Sequence, residues 1–399
     1  MYHVFFSAVW LCVILLFGSP VAAQSSPAPE LKVEFKDGLT FHRDSLFSCS
    51  IRFRIQDRIG FTSVSGTDLS ARTVDARVRR ARLRFDGFVL DKRLRYYLQL
   101  GFSKADLDLE TGSVALPIRD AVVYYQATPA LQVALGQIKL PGNRQRVTSS
   151  GNQQFPELSM TNAAFNLDRD FGAFAFWTLA PGTQQVLLKG AITTGDGRGA
   201  SPGTAGLAYT GRVDWLPFGA FTNKGDYSEG DLEMEPRPKL SLGMVYSLND
   251  HAVRTGGQLG ADLYAPRTMN TFIMDAMLKY RGWMVTGEYF DRSCNDPITR
   301  NDQGAQRFVL VGRGANAQLS KYFPSKFEIA SRYSLVSPLA TVAPLTKRVE
   351  EVLLGSSRYL NGHRVKLQAY VGYRWTEGRA ALDSVGTSWT TMFQIELGI

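Results

Sequence analysis

The sequence predicts an all-β chain: a sixteen-stranded antiparallel transmembrane β-barrel with short periplasmic turns and longer extracellular loops. Three observations predict it. Strand-length segments alternate apolar and polar residues, the links between them alternate long and short, and the last segment, Trp389–Ile399, carries the strand pattern itself.

The first strand is the clearest. Across Phe47–Ser63, Ile51, Phe53, Ile55, Ile59 and Phe61 fall on one side, while Ser50, Arg52, Arg54, Gln56 and Arg58 fall on the other. A period of two over this length is a β-strand with one oily and one wet face. The next strand opposes Ala81, Leu83, Phe85 and Val89 to Arg80, Arg82, Arg84 and Asp86. Three arginines per strand cannot fill a small barrel's dry interior, but they can line a water channel. Register follows from cost, since a one-residue slip would turn these arginines into hydrocarbon at about 2–4 kcal/mol each near the midplane. The arginines are therefore expected to face the lumen.

Taken in order, the strands are read over 47–62, 76–90, 92–104, 117–128, 129–139, 168–180, 183–195 and 205–218. The second half follows over 238–249, 269–281, 282–292, 305–321, 325–337, 347–360, 362–376 and 388–399. Odd-to-even links are long, as at 140–167 and 250–268. Even-to-odd links are mostly tight, as at Asp91, Ala180-Pro181-Gly182, Arg281-Gly282 and Asn361-Gly362. Long loops on one rim and short turns on the other is the outer-membrane barrel layout. Gly219–Pro238 is a long link on the short rim; its Gly, Asp, Glu and Pro content reads as a surface excursion.

A secreted β-sandwich would also alternate, with its apolar face turned inward. Strands of twelve or more residues, the two-rim rule and the terminal strand favour the barrel. Aromatics near strand ends, Trp177, Trp215, Trp283 and Trp389 among them, fit interfacial girdles.

Residues 1–23 read as a secretory signal peptide: an apolar run Val4–Phe17, then Gly18, Ser19, Pro20 and the small-residue site Val21-Ala22-Ala23, without a basic residue in Met1-Tyr2-His3. Residues 24–46 read as an N-terminal periplasmic lead segment and 47–399 as the barrel. Export and barrel together place the chain in the outer membrane of a Gram-negative bacterium. After signal removal only Cys49 and Cys294 remain, too few for a disulfide scaffold.

The net charge is +9, with 45 Lys and Arg against 36 Asp and Glu. A basic balance points to anionic partners, and export disfavours nucleic acid. Catalysis is not expected. His42, His251 and His363 lie outside strand interiors, and no G-x-S-x-G, H-E-x-x-H or P-loop pattern occurs. No cofactor or metal is implied.

Several stretches together resemble the phosphate-selective porin O and P family. They include Ile51-Arg52-Phe53-Arg54-Ile55-Gln56, Arg79-Arg80-Ala81-Arg82-Leu83 ahead of Gly87, and Tyr96-Tyr97-Leu98-Gln99. Gly136-Gln137-Ile138-Lys139-Leu140-Pro141, Asn166–Gly172, Phe327–Tyr333 and Tyr359–His363 complete the likeness, which spans nearly the whole mature chain. The resemblance implies a sixteen-stranded barrel, usually trimeric, that passes small anions such as phosphate. It also implies an arginine ladder leading to a Lys- and Arg-lined constriction, formed in part by an inward-folded third loop. Arg52, Arg54, Arg80, Arg82, Arg84 and Arg95 stand as ladder candidates. The third loop, Leu140–Leu167, is bracketed by Lys139 and Arg169, contains Arg144 and Arg146, and offers the polar run Thr148–Gln154 for a narrowing.

The expected function is an outer-membrane porin for passive diffusion of small solutes, anion-preferring through an arginine-lined lumen. Forked guanidinium donors suit phosphate or carboxylate oxygens, and rings of basic side chains favour anion passage. The alternatives are a nutrient channel, with Tyr97, Tyr124 and Tyr370 as members of an aromatic slide, and a general non-selective porin. Asp57, Asp86, Asp214, Asp275, Glu288 and Glu328 are the acids expected to pair with part of the basic set.

Overall fold

The alternation of the sequence is realised as one sheet rolled into a cylinder. The computed structural model describes residues 31–35, 38–104, 106–107, 115–179, 183–200, 206–376 and 386–399. The first eight barrel strands are β1 (Phe47–Ser63), β2 (Ala71–Val89), β3 (Asp91–Gly101), β4 (Ile118–Gln126), β5 (Leu131–Lys139), β6 (Arg169–Leu179), β7 (Gln185–Thr193) and β8 (Ala208–Leu216). The second eight are β9 (Lys239–Arg254), β10 (Asp262–Tyr280), β11 (Trp283–Cys294), β12 (Gly312–Phe323), β13 (Phe327–Pro338), β14 (Val349–Asn361), β15 (Val365–Thr376) and β16 (Ser388–Gly398). Each pairs antiparallel with its chain neighbour, and β16 pairs with β1 from Thr390↔Thr62 to Gly398↔Arg54, closing the barrel. Closure leaves no open edge in the membrane, the condition for a sheet to span lipid. Among the described residues no helix is long and apolar enough to cross a membrane.

Burial runs opposite to a soluble protein's. Outward-facing apolar side chains are open, with Ile59 at 55% and Leu354 at 55%, whereas the inward Gln56, Glu396 and Lys366 are fully buried. Trp177, Trp215, Trp283 and Trp389 lie outward and exposed near strand ends, where girdles form.

The ladder between β1 and β2 is not uniform. Gln56 pairs with Arg80 but Asp57 pairs with Val78, so Arg79 is an extra residue in a β-bulge. The bulge reverses parity along β2. On its periplasmic side the even positions Arg80, Arg82 and Arg84 face inward; beyond it Val78 and Val74 face out, at 52% and 67% exposure. Both Arg79 and Arg80 reach lumenal partners, Glu157 and Gln56.

Several boundaries differ from the sequence reading. β9 and β10 continue to Arg254 and from Asp262, so the link read at 250–268 is much shorter. The strand read over 305–321 begins only at Gly312, and Gln306–Phe308 instead pairs with Ile298–Arg300 in a separate hairpin. The alternation at 305–311 reflects loop packing: Val309 and Val311 are buried with Ala252, Met269 and Val342. Two short strands precede the barrel, Lys32–Phe35 and Leu39–Arg43. The second pairs with Phe47–Ile51 and prolongs the line of β16 beyond its end.

The Arg281-Gly282 turn has φ of 47° and 83°, the doubly left-handed geometry that suits a two-residue hairpin. Cys49 and Cys294 are free thiols. The signal-peptide reading and the Ala180-Pro181-Gly182 turn lie outside the described residues.

Gly219–Pro238 is not a surface excursion. It folds up into the bore from the periplasmic rim, because its acids find backbone donors there. Glu229 accepts from the Gln154 amide at 2.9 Å, and Asp231 accepts from the Gly282 amide at 2.7 Å.

Candidate functional site

The loop between β5 and β6 has nowhere to lie but across the barrel, since its polar groups match the lumenal wall. It is built from two short helical segments, α1 (Arg144–Val147) and α2 (Met160–Phe165), with a 3₁₀ turn at Ser150–Asn152. Ser159 caps α2 by accepting from the Asn162 amide at 3.0 Å.

Two sides of the wall hold this loop in different ways. Toward β8–β13 it is anchored firmly. Arg144 donates to Asp275 at 2.8 Å and Ser241 at 2.8 Å, Arg212 donates to the Gly142 carbonyl at 2.9 Å, and Arg292 donates to the Phe165 carbonyl at 2.9 Å. Glu288 accepts from the Gln145 amide at 2.7 Å, and Glu328 accepts from Gln154 at 2.6 Å. The space left there, beside Arg144 and Glu288, is only ≈ 10 Å³.

Toward β1–β7 the bore stays open as two cavities. The larger, ≈ 640 Å³, reaches the periplasmic end, where Arg364, Gly398 and Ile399 line it. The smaller, ≈ 210 Å³, opens toward the extracellular loops through Arg198 and Leu259. Four residues line both: Arg82, Lys139, Ser150 and Arg169. They stand where the two chambers adjoin. Nine lining side chains of the larger cavity are basic and one, Asp120, is acidic. In the smaller, eight are basic, against Asp106 and Asp168.

Residues 51–229 match the family model of the phosphate-selective porin O and P. Over that stretch the chain is similar to the family, and its closed barrel is that of an outer-membrane porin. Solved structures share the barrel at low identity. An anion-selective porin from Comamonas acidovorans aligns with TM-score 0.53 and 13% identity, covering 88% of this chain and all of that one. OprB of Pseudomonas putida gives 0.53 and 11%, covering 88% and 94%. The outer-membrane channel DcaP of Acinetobacter baumannii gives 0.52 and 10%, covering 91% and all of that chain. No curated protein matches. As a porin, the chain is a channel of the outer membrane and not an enzyme.

The ladder read from the sequence divides in this porin. Arg52, Arg54 and Arg84 line the larger cavity, Arg80 the smaller, and Arg82 both. Among the described residues Arg52 has no ion-pair partner. Arg54 pairs with Glu396 at 3.0 Å and donates to Ser149 at 3.1 Å, and Arg84 pairs with Asp86 at 2.8 Å. Gly151 lets the loop lie against Arg54, since a Cβ there would sit 2.0 Å from the guanidinium carbon. Arg80 donates to Gln56 at 2.6 Å. Arg95 is exposed near the periplasmic end of β3 and lines neither cavity.

The loop candidates divide as well. Lys139 and Arg169 line both chambers. Among the described residues Lys139 donates only to the Val147 and Thr148 carbonyls, at 3.3 and 3.0 Å, so its charge meets no carboxylate. Arg169 is held by Asp120 at 2.8 Å, and Arg146 is paired with Asp168 in the smaller cavity. Arg144 is sequestered against Asp275 and Asp214, away from both open chambers. It acts as an anchor of the loop.

Of the acids read as pairing partners, Asp214 and Asp275 hold Arg144 and Arg212, while Asp57 faces outward and exposed. The polar run of the loop contributes Ser149, Ser150 and Asn152 to one cavity and Thr148, Ser150 and Gln153 to the other.

Sequence reasoning missed Lys189, Arg212 and Arg364 in the larger cavity, and Arg79, Arg119 and Arg198 in the smaller. Lys189, Arg212 and Arg119 sit on inward strand positions, which alternation alone could have found. Arg79 was hidden by the bulge. Arg198 and Arg364 belong to links, whose direction no period encodes.

The loop carboxylates that face these cations stay ionised. Burial opposes the charge on Asp106, but the Arg82 hydrogen bond and the nearby Arg119 hold it well below its usual range. Burial likewise disfavours ionised Glu157, yet Arg79, Arg80 and Arg58 pull it well below a normal glutamate. Each of these acids therefore cancels positive charge locally while leaving the larger cavity strongly basic.

Proposed function

We propose that this porin passes small anions by passive diffusion. Solutes enter from the extracellular loops through the smaller chamber, cross the Arg82–Lys139–Arg169 junction, and leave through the larger chamber. The observation that carries this reading is the pair of basic cavities in series that share those three cations. Arginine presents forked donors to oxyanions, and rings of positive side chains exclude cations. Conduction needs binding weak enough and sites numerous enough for release; spaced, partly paired arginines meet that need better than one tight pocket. The family's name refers to phosphate. In this chain the same donors suit phosphate and carboxylate alike.

The outward apolar band is read as the lipid contact, residues 24–46 as a periplasmic lead segment, and the assembly as a homotrimer, the last from the family resemblance. The test is the zero-current potential of the purified porin in a planar bilayer under a KCl gradient. A sign favouring chloride supports the reading. A sign favouring potassium removes anion preference and leaves a general porin.

A further inference from the structure

We propose that the larger cavity favours anions with an apolar, ring-bearing body, aromatic monocarboxylates being the simplest class. This rests on the anion reading above and goes beyond it. The cavity is not basic all round. Tyr97 of β3, Tyr124 of β4 and Phe176 of β6 line it. They form a nearly continuous wall because the intervening β5 places Ala134 between Tyr124 and Phe174 in the ladder. The Tyr124 and Phe176 ring centres are 6.4 Å apart, and Phe174 stacks parallel to Phe176 at 6.4 Å. Ile138, Leu140 and Val147 extend the apolar lining of the larger cavity.

This wall is flanked by cations on both sides. The Arg84 guanidinium lies 4.6 Å from the centre of the Tyr97 ring. Lys189, the ladder partner of Phe176, lines the cavity beyond it. Inorganic phosphate gains little from such a wall, since ring faces offer its oxygens no N–H donors. An aromatic carboxylate uses both parts. Its oxygens meet a guanidinium or ammonium, and its ring meets other rings edge-on or offset. The volume, ≈ 640 Å³, lies within the roughly 300–1,000 Å³ usual for small-molecule sites, which combine apolar walls with a few polar anchors.

The test reads chloride current through the intact porin in a planar bilayer while benzoate, acetate or inorganic phosphate is added to one side. Benzoate should halve the current at about one-tenth of the acetate concentration, a factor equal to ~1.4 kcal/mol. The effect should be larger from the periplasmic side, where the cavity opens, and phosphate should block no better than acetate. Equal block by benzoate and acetate, with chloride preference intact, overturns this inference and spares the anion reading. Loss of chloride preference in the same bilayers overturns that reading itself. The paired substitution Tyr124→Ser and Phe176→Ser should bring benzoate to the level of acetate without changing chloride over potassium. A folded double variant that keeps the benzoate advantage rejects the aromatic wall as its source. Should that variant fail to fold, the three-anion comparison on the unaltered porin still decides.

Discussion

Arg82 donates to the Ser150 hydroxyl at 3.0 Å, joining strand β2 to the inward loop where the two chambers meet. The same guanidinium is held from behind by Asp106 at 2.6 and 2.8 Å. One side chain therefore both borders the junction of the chambers and supplies part of its charge.

Reversing charge near this point should change selectivity before it changes folding. A unit charge in water is worth about 1 kcal/mol to an ion about 4 Å away, and replacing both Arg82 and Arg84 by Glu changes the local charge by four units. The double substitution Arg82→Glu and Arg84→Glu should lower chloride-over-potassium permeability by roughly tenfold, the equivalent of ~1.4 kcal/mol. The zero-current potential reads this directly. An unchanged potential in a folded barrel would show that these side chains do not govern the path.

Arg144 should behave differently, although the sequence grouped it with the pore-lining cations. It is buried between Asp275, Asp214 and Ser241, far from bulk water. Breaking a buried charge cluster by removing one partner costs about 3–5 kcal/mol. Arg144→Ala should therefore loosen the loop, raise single-channel conductance and add current noise, with little effect on the sign of selectivity. A quiet channel of normal conductance would show that the loop holds without this anchor.

Much of the fold was legible because the period-two pattern is strong wherever one face meets lipid. Phe47–Ser63 and its opposed arginines fixed register by cost alone. The ends of β9 and β10 were not legible, since strands that project beyond the bilayer into water no longer need an apolar outer face. The site was partly legible for a related reason. Inward positions such as Arg82 follow from parity, whereas Arg79 sits at a bulge that breaks parity, and Arg198 and Arg364 sit in links. The inward course of 219–238 was illegible because its acids are satisfied by backbone amides of distant residues, Gln154 and Gly282, and no local pattern records such partners.

Acid should break the loop's Glu157 and Asp168 contacts only at strongly acidic pH. Burial raises the cost of charge on Glu157 and Asp168. Nevertheless Arg79, Arg80 and Arg58 around the first, and Arg146 and Arg169 around the second, hold both well below their usual values. Carboxyls depressed in the folded state add stability above their unfolded values, near 4.5 and 3.8, and lose it as pH falls toward the folded ones. The share of conductance and anion preference that rests on these two contacts should thus stay constant from pH 7 to about 5 and change only below about pH 4. A transition near pH 6 would place the release instead on the wall carboxylates Glu288 and Glu328, which hold the Gln145 amide and the Gln154 side chain.

The periplasmic segment should serve as a strut for that loop. Glu229 donates its amide to the Asn152 carbonyl at 2.8 Å, and its carboxylate accepts from the Gln154 amide at 2.9 Å. The segment is itself fixed to the wall by Lys279, which donates to the Gly225 carbonyl at 2.7 Å. Asn152 lines the larger chamber, whereas Gln154 is also held by Glu328 on the anchored side, so losing the strut frees the loop chiefly at Asn152. Glu229→Ala removes a charge-assisted hydrogen bond worth about 1.5–3 kcal/mol and leaves the Gln154 amide without its acceptor. The expected result is a barrel of normal heat stability in detergent whose single-channel trace flickers between two or more conductance levels. A steady trace at the original level would mean that the lumenal wall alone, through Gln368 and Lys366, holds Gln153 and Gln154 in place.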